Sequence, residues 1–318
     1  MNQNSFRTHS FSLLLGCLLL GGFTPSRALV INPVWDNTII SDVNAATIMS
    51  TINAAIAVFD LRFSDPITVS INFAEMSSGL GQSSTYFGTV SYSSYRTALV
   101  NDATTASDAT ALAHLPVQAS NPVNGNASID VTTANLRALG FNSSPPVGQP
   151  DSFIGLNTSL MNLSRSSINP AKYDLMAVVS HEIDEALGMG SALNGLAQNV
   201  AAPTGAVWGM DLYRYDQNGN RTLNTTLATQ AYFSLDGTTQ LARFNQTAGA
   251  DFQDFYSPGG QTPQVQDAFG TPGSTPNLGV ELPMLDVLGY NLVAVPEPGT
   301  LALFGIGSFV LLRRVKRK

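Results

Sequence analysis

The feature that most constrains the fold is a largely apolar helix whose charged residues cluster near its end. Asn169-Pro170 supplies an N-cap followed by proline at the first helical position, and Gly188 ends the segment. His181 and Glu185 are one turn apart, so both side chains project from the same face. Glu182 is displaced from them around the helix axis by roughly 100°. An imidazole and a carboxylate on one helix face predict a metal-binding site.

The alternative interpretation is a buried helix with polar residues at its solvent end, but the charged residues here fall between two apolar segments. The pattern H-E-x-x-E followed by Leu187-Gly188 resembles the zincin metalloproteases, whose HExxH helix provides two zinc ligands and a carboxylate that deprotonates the bound water. The resemblance implies that His181 binds zinc and that Glu182 is the general base. Glu185 stands where the family has its second histidine. The third histidine of the metzincin pattern would fall on Ser191, which is not a zinc ligand.

The small number of histidines limits which residues can be the remaining ligands of this site. A catalytic zinc needs three protein ligands and one open position. The chain has three histidines, and His9 lies in the predicted leader, so the body retains only His114 and His181. A site with three histidines is therefore excluded. Asp211 is the predicted third ligand because it lies in the first strand-like segment after the motif helix, and His114, in a loop-like region, is the alternative.

The N-terminus has the pattern of a secretory signal peptide over residues 1–28. Arg7 provides the positive region, residues 11–20 provide the apolar run, and Ser26-Arg27-Ala28 is a small-x-small cleavage site. The only cysteine, Cys17, lies inside this run. The body therefore has no thiol, and any metal ion must be held by nitrogen and oxygen ligands.

The C-terminus carries a second addressing signal. The run Val295-Pro296-Glu297-Pro298-Gly299, a short apolar span over 301–312 and a basic tail resemble the PEP-CTERM sorting signal over residues 295–318. This resemblance implies processing by an exosortase-type enzyme, transient anchoring in the inner membrane and a final place at the cell surface or in the extracellular matrix. The alternative is a plain tail anchor. We expect contact with membranes only through this segment.

Charge excludes one class of function. Seven of the 15 basic residues lie in the two end segments, which leaves eight in the body, whereas the chain has 22 acidic residues. A nucleic-acid partner is therefore not expected, because no basic surface remains to neutralise phosphates. The acidic, asparagine-rich turn at 216–220 is a candidate calcium site, although its spacing is that of a plain turn and not of an EF-hand loop.

The remaining patterns predict an α+β fold over residues 29–294 with a β-rich C-terminal part. A helix capped by Ser41, with an apolar stripe from Ile48 to Phe59, precedes an alternating strand over Ile67–Phe73. Asn218-Gly219 predicts a hairpin after a strand over 207–215. The other predicted elements are a first strand near 34–36, a helix over 92–100, a loop-like stretch over 101–126, strands at 128–131 and 153–157, a strand pair over 232–237 and 241–244, a surface loop over 257–280 and a helix over 281–290.

Three runs after the motif helix, at 211–215, 232–237 and 285–290, resemble a group of secreted bacterial zincin-type metalloproteases. The resemblance implies a zincin-like fold, with a twisted mixed sheet, a backing helix and an active-site helix. We therefore expect an exported, zinc-dependent peptidase that hydrolyses a peptide or protein substrate through a metal-bound water. Its metal ligands would be His181, Glu185 and Asp211. The alternative is a catalytically inactive zincin-like protein of the cell surface or exopolysaccharide matrix.

Overall fold

The structure is a computed structural model that describes residues 28–196 and 201–293. The predicted leader up to residue 27 and the predicted sorting segment over 295–318 lie outside these residues. A helix with the length and apolar character needed to cross a membrane is not found in the described part of the chain.

The described ranges contain seven α-helices and twelve strands, which confirms the predicted α+β class. Helices α1 to α7 span Asn37–Ile40, Ala45–Arg62, Tyr92–Asp102, Ala106–Ala113, Thr133–Ala138, Leu175–Leu187 and Glu281–Val287. Strands β1 to β12 span Val30–Trp35, Thr68–Glu75, Gly81–Thr85, Phe87–Ser91, Ser128–Thr132, Ser152–Leu156, Met161–Asn162, Tyr173–Asp174, Val207–Trp208, Arg214–Asp216, Ala231–Phe233 and Ala242–Arg243. Short 3-10 helices span Thr158–Leu160 and Gly209–Tyr213.

The main sheet has four strands in the order β1-β2-β6-β3. Strands β1, β2 and β6 are parallel, and β3 runs antiparallel to β6 at the edge. The predicted alternation in β2 is confirmed, because Val69, Ile71 and Phe73 are fully buried. Helix α2 packs against β1 and α6, and α6 packs against β6 and β3. The motif helix therefore lies beside the edge strand of the sheet.

The motif helix begins later than its sequence pattern predicts. Helix α6 starts at Leu175, because the side chain of Asp174 accepts a hydrogen bond from the backbone N–H of Ala177 at 3.2 Å and caps the first turn. The predicted start at Asn169-Pro170 is wrong, since the chain from there to Asp174 forms a turn and the short strand β8. The predicted end is confirmed: Gly188 has a φ of 145°, a backbone conformation that favours glycine.

Two predicted elements differ from the structure for local reasons. The strand predicted over 207–215 is interrupted by a 3-10 helix at Gly209–Tyr213, because the carboxylate of Asp211 accepts the backbone N–H of Trp208 and closes a turn. The stretch predicted to be loop-like contains α4, whose first turn has a capping box formed by Thr105 and Asp108.

The C-terminal part is rich in short strands, as predicted. Strands β10, β11 and β12 form an antiparallel sheet, and a bridge between Tyr215 and Arg221 closes the hairpin at Gly219. Residues 257–280 contain neither a helix nor a strand. They are not purely a surface loop, however, because Val265 and Gln266 are buried. This segment contacts the middle of α6, because Val265 and Gln266 lie against His181.

The last described residues are held by carboxylates. The backbone N–H of Asn291 donates to Asp65 at 2.9 Å, and its side-chain amide donates to Asp102 at 3.1 Å. Burial, with a smaller contribution from the nearby carboxylates, raises the pKa of Asp102 to about 7 against the opposing effect of the hydrogen bond from Asn291. Burial likewise raises the pKa of Asp286 to about 6. Asp65, Asp102 and Asp286 form a cluster of carboxyl groups whose protonated forms are favoured in the folded chain.

The cluster predicts a pH dependence of stability. Because these pKa values are higher in the folded chain than the value of about 3.9 expected for an unfolded aspartate, the folded state binds more protons, and the free energy of unfolding falls as the pH rises from about 4 to about 7. Asp102→Asn should make this fall smaller, because asparagine does not titrate. The side-chain oxygen of asparagine can still accept the hydrogen bond from Asn291, so this contact is kept. Urea midpoints at pH 5 and pH 8 measure the effect. Asp42→Asn, outside this cluster, is the control. A difference between the two midpoints that is as large in Asp102→Asn as in the parent would contradict the prediction.

Candidate metal centre

Helix α6 and a distant loop bring one histidine and two carboxylates together. The Nε2 atom of His181 lies 3.8 Å from Oε1 of Glu185, one turn along the helix. The Oδ2 atom of Asp254, from the segment after β12, lies 3.6 Å from the same Nε2. Among the described residues, these three form the one group of candidate ligands whose donor atoms all lie within 4.8 Å of one another.

The distances and donor types fit a divalent cation. Two ligands bound to zinc at about 2.0–2.1 Å in tetrahedral geometry are about 3.4 Å apart, which is within a few tenths of an ångström of the separations from His181. Nitrogen and oxygen are the donor types expected from a body without a thiol. The two separations from His181 therefore require only small side-chain movements for metal binding.

The histidine is oriented as in a metal site. Its Nδ1 atom lies 3.0 Å from the backbone carbonyl oxygen of Val265. A carbonyl only accepts hydrogen bonds, so Nδ1 carries the proton, and Nε2 faces the two carboxylates. Burial would lower the pKa of His181, but the carboxylates of Asp254, Glu182 and Glu185 outweigh it and raise the pKa to about 10. The surroundings of Nε2 thus favour positive charge.

Both carboxylate ligands have outer hydrogen-bond donors. The hydroxyl of Ser83 donates to Oε2 of Glu185 at 2.6 Å, and the side-chain amide of Gln253 donates to Oε1. The side-chain amide of Gln266 donates to Oδ1 of Asp254 at 3.0 Å. Such contacts orient ligands and tune their affinity for a metal ion.

Glu182 lies next to this group and is 5% exposed. Its Oε2 atom is buried and has no hydrogen-bond partner. Burial raises its pKa well above the usual value, and the charge of Glu185 adds to that effect while His181 opposes it. Burial also raises the pKa of Asp254, to about 8. Three ionised carboxyl groups around one imidazole would carry a net negative charge, and a divalent cation would balance it.

A cavity of about 540 Å³, hereafter the cleft, lies over the group. Its walls are β3, α6 and residues 249–276. Gly81 in β3 lies directly on Glu182: a Cβ atom added there would be 2.2 Å from Oε1 of Glu182 and 2.8 Å from Cγ1 of Val178. Only glycine allows the edge strand to approach the motif helix this closely.

The structure does not bring Asp211, the predicted third ligand, to this group. Asp211 is buried, and its carboxylate accepts from the Ser191 hydroxyl at 2.5 Å and from the backbone N–H groups of Ala192 and Trp208 at 2.9 Å each. These bonds tie the chain after α6 to the 3-10 helix. His114, the alternative, is exposed at the end of α4, where its Nδ1 lies 2.9 Å from the carbonyl of Thr110.

Asp254 was missed by sequence reasoning, although a weak signal was present. It lies between Phe252 and Phe255, and all three side chains are buried. An acid flanked by aromatic residues in a short segment has to be buried with a partner or a cation. Nothing in the local pattern, however, indicates that this partner is His181.

The candidate calcium turn uses its carboxylate locally. The Oδ1 atom of Asp216 accepts from the backbone N–H groups of Asn218 and Asn220 at 2.8 and 2.9 Å. This is the arrangement of a plain turn closed by an aspartate.

Comparison with protein-family models matches residues 294–318 to the PEP-CTERM protein-sorting motif. The comparison with curated proteins gave no match, and the comparison with solved structures gave none either. The predicted C-terminal sorting signal is therefore confirmed, which implies an exported chain that an exosortase-type enzyme recognises through this segment. The match does not extend to the residues that form the cleft.

Proposed function

We propose that this exported protein is a zinc-dependent peptidase with a zincin-like arrangement of its sheet and motif helix. One observation carries the proposal. His181, Glu185 and Asp254 converge at the base of a cleft, with the buried carboxyl group of Glu182 beside them. This is a set of three ligands with a neighbouring acid–base group, which is what hydrolysis at a metal centre needs.

The edge strand supports a peptide as the substrate. Among the described strands, β3 pairs with β6 alone, so its other edge is open to the cleft. An extended peptide binds to such an edge by adding a strand through main-chain hydrogen bonds. A peptide laid along β3 would pass over Glu182, because Gly81 lies directly on that side chain.

The chain's own residues account for proton transfer. When bound, zinc would polarise the scissile carbonyl and make water more acidic. Glu182 accepts a proton at its unpartnered Oε2 atom as the water oxygen attacks the carbonyl carbon. It then passes this proton to the leaving nitrogen as the C–N bond breaks. His181 is held for ligation by Val265, and Glu185 is held by Ser83.

The charge of the cleft favours basic peptides. Besides Glu182 and the two carboxylate ligands, its walls carry Asp251 and Asp267, and the described residues that line it include no lysine or arginine. Asp174 also lines the cleft, but its charge is paired with that of Arg165. Asp251 is exposed at the mouth. Peptides that contain lysine or arginine are therefore the substrates to test first, because opposite charges raise the local substrate concentration.

Metal analysis tests the proposal. We expect the purified protein to bind one zinc ion, and a chelator to remove both the metal and the cleavage of basic peptides. Added zinc should restore cleavage. The unfolding midpoint should rise with zinc concentration, since the ion binds the folded state only. A protein that neither contains zinc nor acquires it on titration would contradict the proposal.

A second candidate function is a catalytically inactive, zincin-like protein of the cell surface or extracellular matrix. It is favoured by the hydrogen bonds that Ser83, Gln253 and Gln266 make to the two carboxylates, because these contacts satisfy the group without a metal ion. The zinc titration separates the two candidates, since this one requires no binding.

Gly81→Ala should lower peptidase activity by roughly 100-fold, because the new methyl group would displace either β3 or the carboxyl group of Glu182 and a shift of about 1 Å is enough for such a loss. Zinc affinity should change little, since Gly81 does not contact a ligand. Initial rates and zinc titrations measure the two effects. Gly88→Ala, in β4 and away from the cleft, is the matched control. Equal activity of both variants would contradict the positioning of Glu182 by β3.

A further inference from the structure

Gln266 lies against the candidate ligands from inside the protein. Its side chain is fully buried. The Nε2 atom lies 3.2 Å from Nε2 of His181 and 3.0 Å from Oδ1 of Asp254. One end of the amide is therefore in contact with two members of the group.

The other end of the same amide has no partner. The Oε1 atom of Gln266 is buried without a hydrogen bond, although a buried amide oxygen normally has one. A half-turn about the last side-chain torsion exchanges the two ends of a planar amide. It would place Oε1 next to His181 and Asp254, where Nε2 now lies.

We propose that Gln266 is a fourth protein ligand of the metal ion and binds it through Oε1 after this exchange, so that the water used in hydrolysis would be a fifth ligand. The inference rests on the proposed function, because it requires that His181, Glu185 and Asp254 bind a cation. An amide oxygen adds a donor without adding a third negative charge to the two carboxylates. It thereby compensates for the histidine that Glu185 replaces in the motif.

The backbone of Gln266 is held independently of its side chain. Its N–H donates to Glu281 at 3.0 Å, and its carbonyl accepts from the N–H of Phe255 at 2.7 Å. Substitution of the side chain therefore leaves these main-chain contacts available. Methionine fills a similar volume without a strong donor or acceptor, and glutamate keeps the oxygen atoms but loses the N–H groups.

The two substitutions distinguish a ligand from an outer hydrogen-bond donor. If Gln266 binds the ion, Gln266→Met should weaken zinc binding by at least about 100-fold, the upper end of the effect of losing an outer contact. Gln266→Glu should then bind zinc within about tenfold of the parent, or more tightly, because a carboxylate oxygen is a good zinc ligand. If Gln266 acts only as an N–H donor to Asp254, both variants should lose affinity alike.

Gln253 provides the matched control. It is a second buried glutamine that donates to a ligand, Glu185, but its Oε1 atom already accepts from the backbone N–H of Ser191 at 3.2 Å. Gln253→Met and Gln253→Glu should therefore both weaken zinc binding, by roughly 10- to 100-fold, as expected for the loss of an outer donor. Urea unfolding of all four variants shows that each is folded.

Calorimetric titration with zinc chloride, followed by the visible absorption of the cobalt(II)-loaded protein, provides the test. The expected result is a Gln266→Met spectrum that differs from the parent's and a Gln266→Glu spectrum of similar intensity. A folded Gln266→Met variant that binds zinc within about threefold of the parent would overturn the proposal, since even an outer contact is worth more. Equal losses for both Gln266 variants would also overturn it. A parent that binds no zinc would instead defeat the proposed function, before any variant is compared.

Discussion

Glu182→Gln is expected to reduce peptide hydrolysis by roughly 10²- to 10⁴-fold, which is the usual contribution of a general acid–base group. Glutamine has the size and shape of glutamate, but it cannot take a proton at the position of the buried Oε2 atom. Zinc content should equal the parent's, because Glu182 is not one of the three converging ligands. Stability should be unchanged or slightly higher, since burial already raises the pKa of this carboxyl group and disfavours its charged form.

Initial rates on a basic peptide, zinc content and urea midpoints should be measured on the same preparations. Asp267→Asn is the matched control because it changes another carboxyl group that lines the cleft, one that accepts from Ser257 and from the N–H of Gln264. Its activity should fall by no more than a few-fold, because it loses only one of the charges that attract a basic peptide and keeps Glu182. A Glu182→Gln variant that is as active as the parent would rule out the proposed proton transfer.

The parts of the fold that sequence predicted correctly depend on local periodicity. The apolar stripe of α2, the alternation of β2 and the glycine that ends α6 are each visible within a short window of residues. The pairing of His181 with Glu185 is equally local, because it follows from the helical repeat. These features can be predicted without knowing which elements pack against them.

The edge strand could not be recognised in the same way. Strand β3 has the sequence Gly-Gln-Ser-Ser-Thr, which has neither apolar alternation nor β-branched residues until Thr85. Its place is determined by pairing with β6 and by the close approach of Gly81 to Glu182. Both contacts join residues more than 60 positions apart in the sequence, so no local sequence pattern indicates them.

The third ligand was missed for a related reason. Asp211 and Asp254 are both buried aspartates after the motif helix, and ligand chemistry alone does not distinguish them. Asp211 accepts backbone N–H groups close to it in sequence and closes a turn. Asp254 instead approaches His181 across 73 positions, because residues 245–268 fold back over α6. Only the tertiary structure shows which aspartate is available to a metal ion.

Substitution of these two aspartates should give opposite results for zinc binding. Asp254→Ala should weaken zinc binding by at least about 100-fold and abolish zinc-dependent peptidase activity, because a ligand is lost. Its free energy of unfolding without zinc should also fall, by roughly 1–3 kcal/mol, because the buried side-chain amide of Gln266 loses its acceptor, Oδ1 of Asp254. Zinc titration and urea unfolding in the presence of a chelator measure the two quantities.

Asp211→Asn should leave zinc affinity within a few-fold of the parent's and lower the free energy of unfolding by roughly 1–3 kcal/mol, the cost of leaving a buried hydrogen-bond donor without a partner. Asparagine presents one oxygen and one N–H₂ group where the carboxylate now accepts from Ser191, Ala192 and Trp208, so at least one of these donors loses its acceptor. The reverse pattern, with zinc binding lost in Asp211→Asn and kept in Asp254→Ala, would make Asp211 the ligand. It would also require the chain after α6 to rearrange, because the three bonds that now hold Asp211 point its carboxylate into a turn.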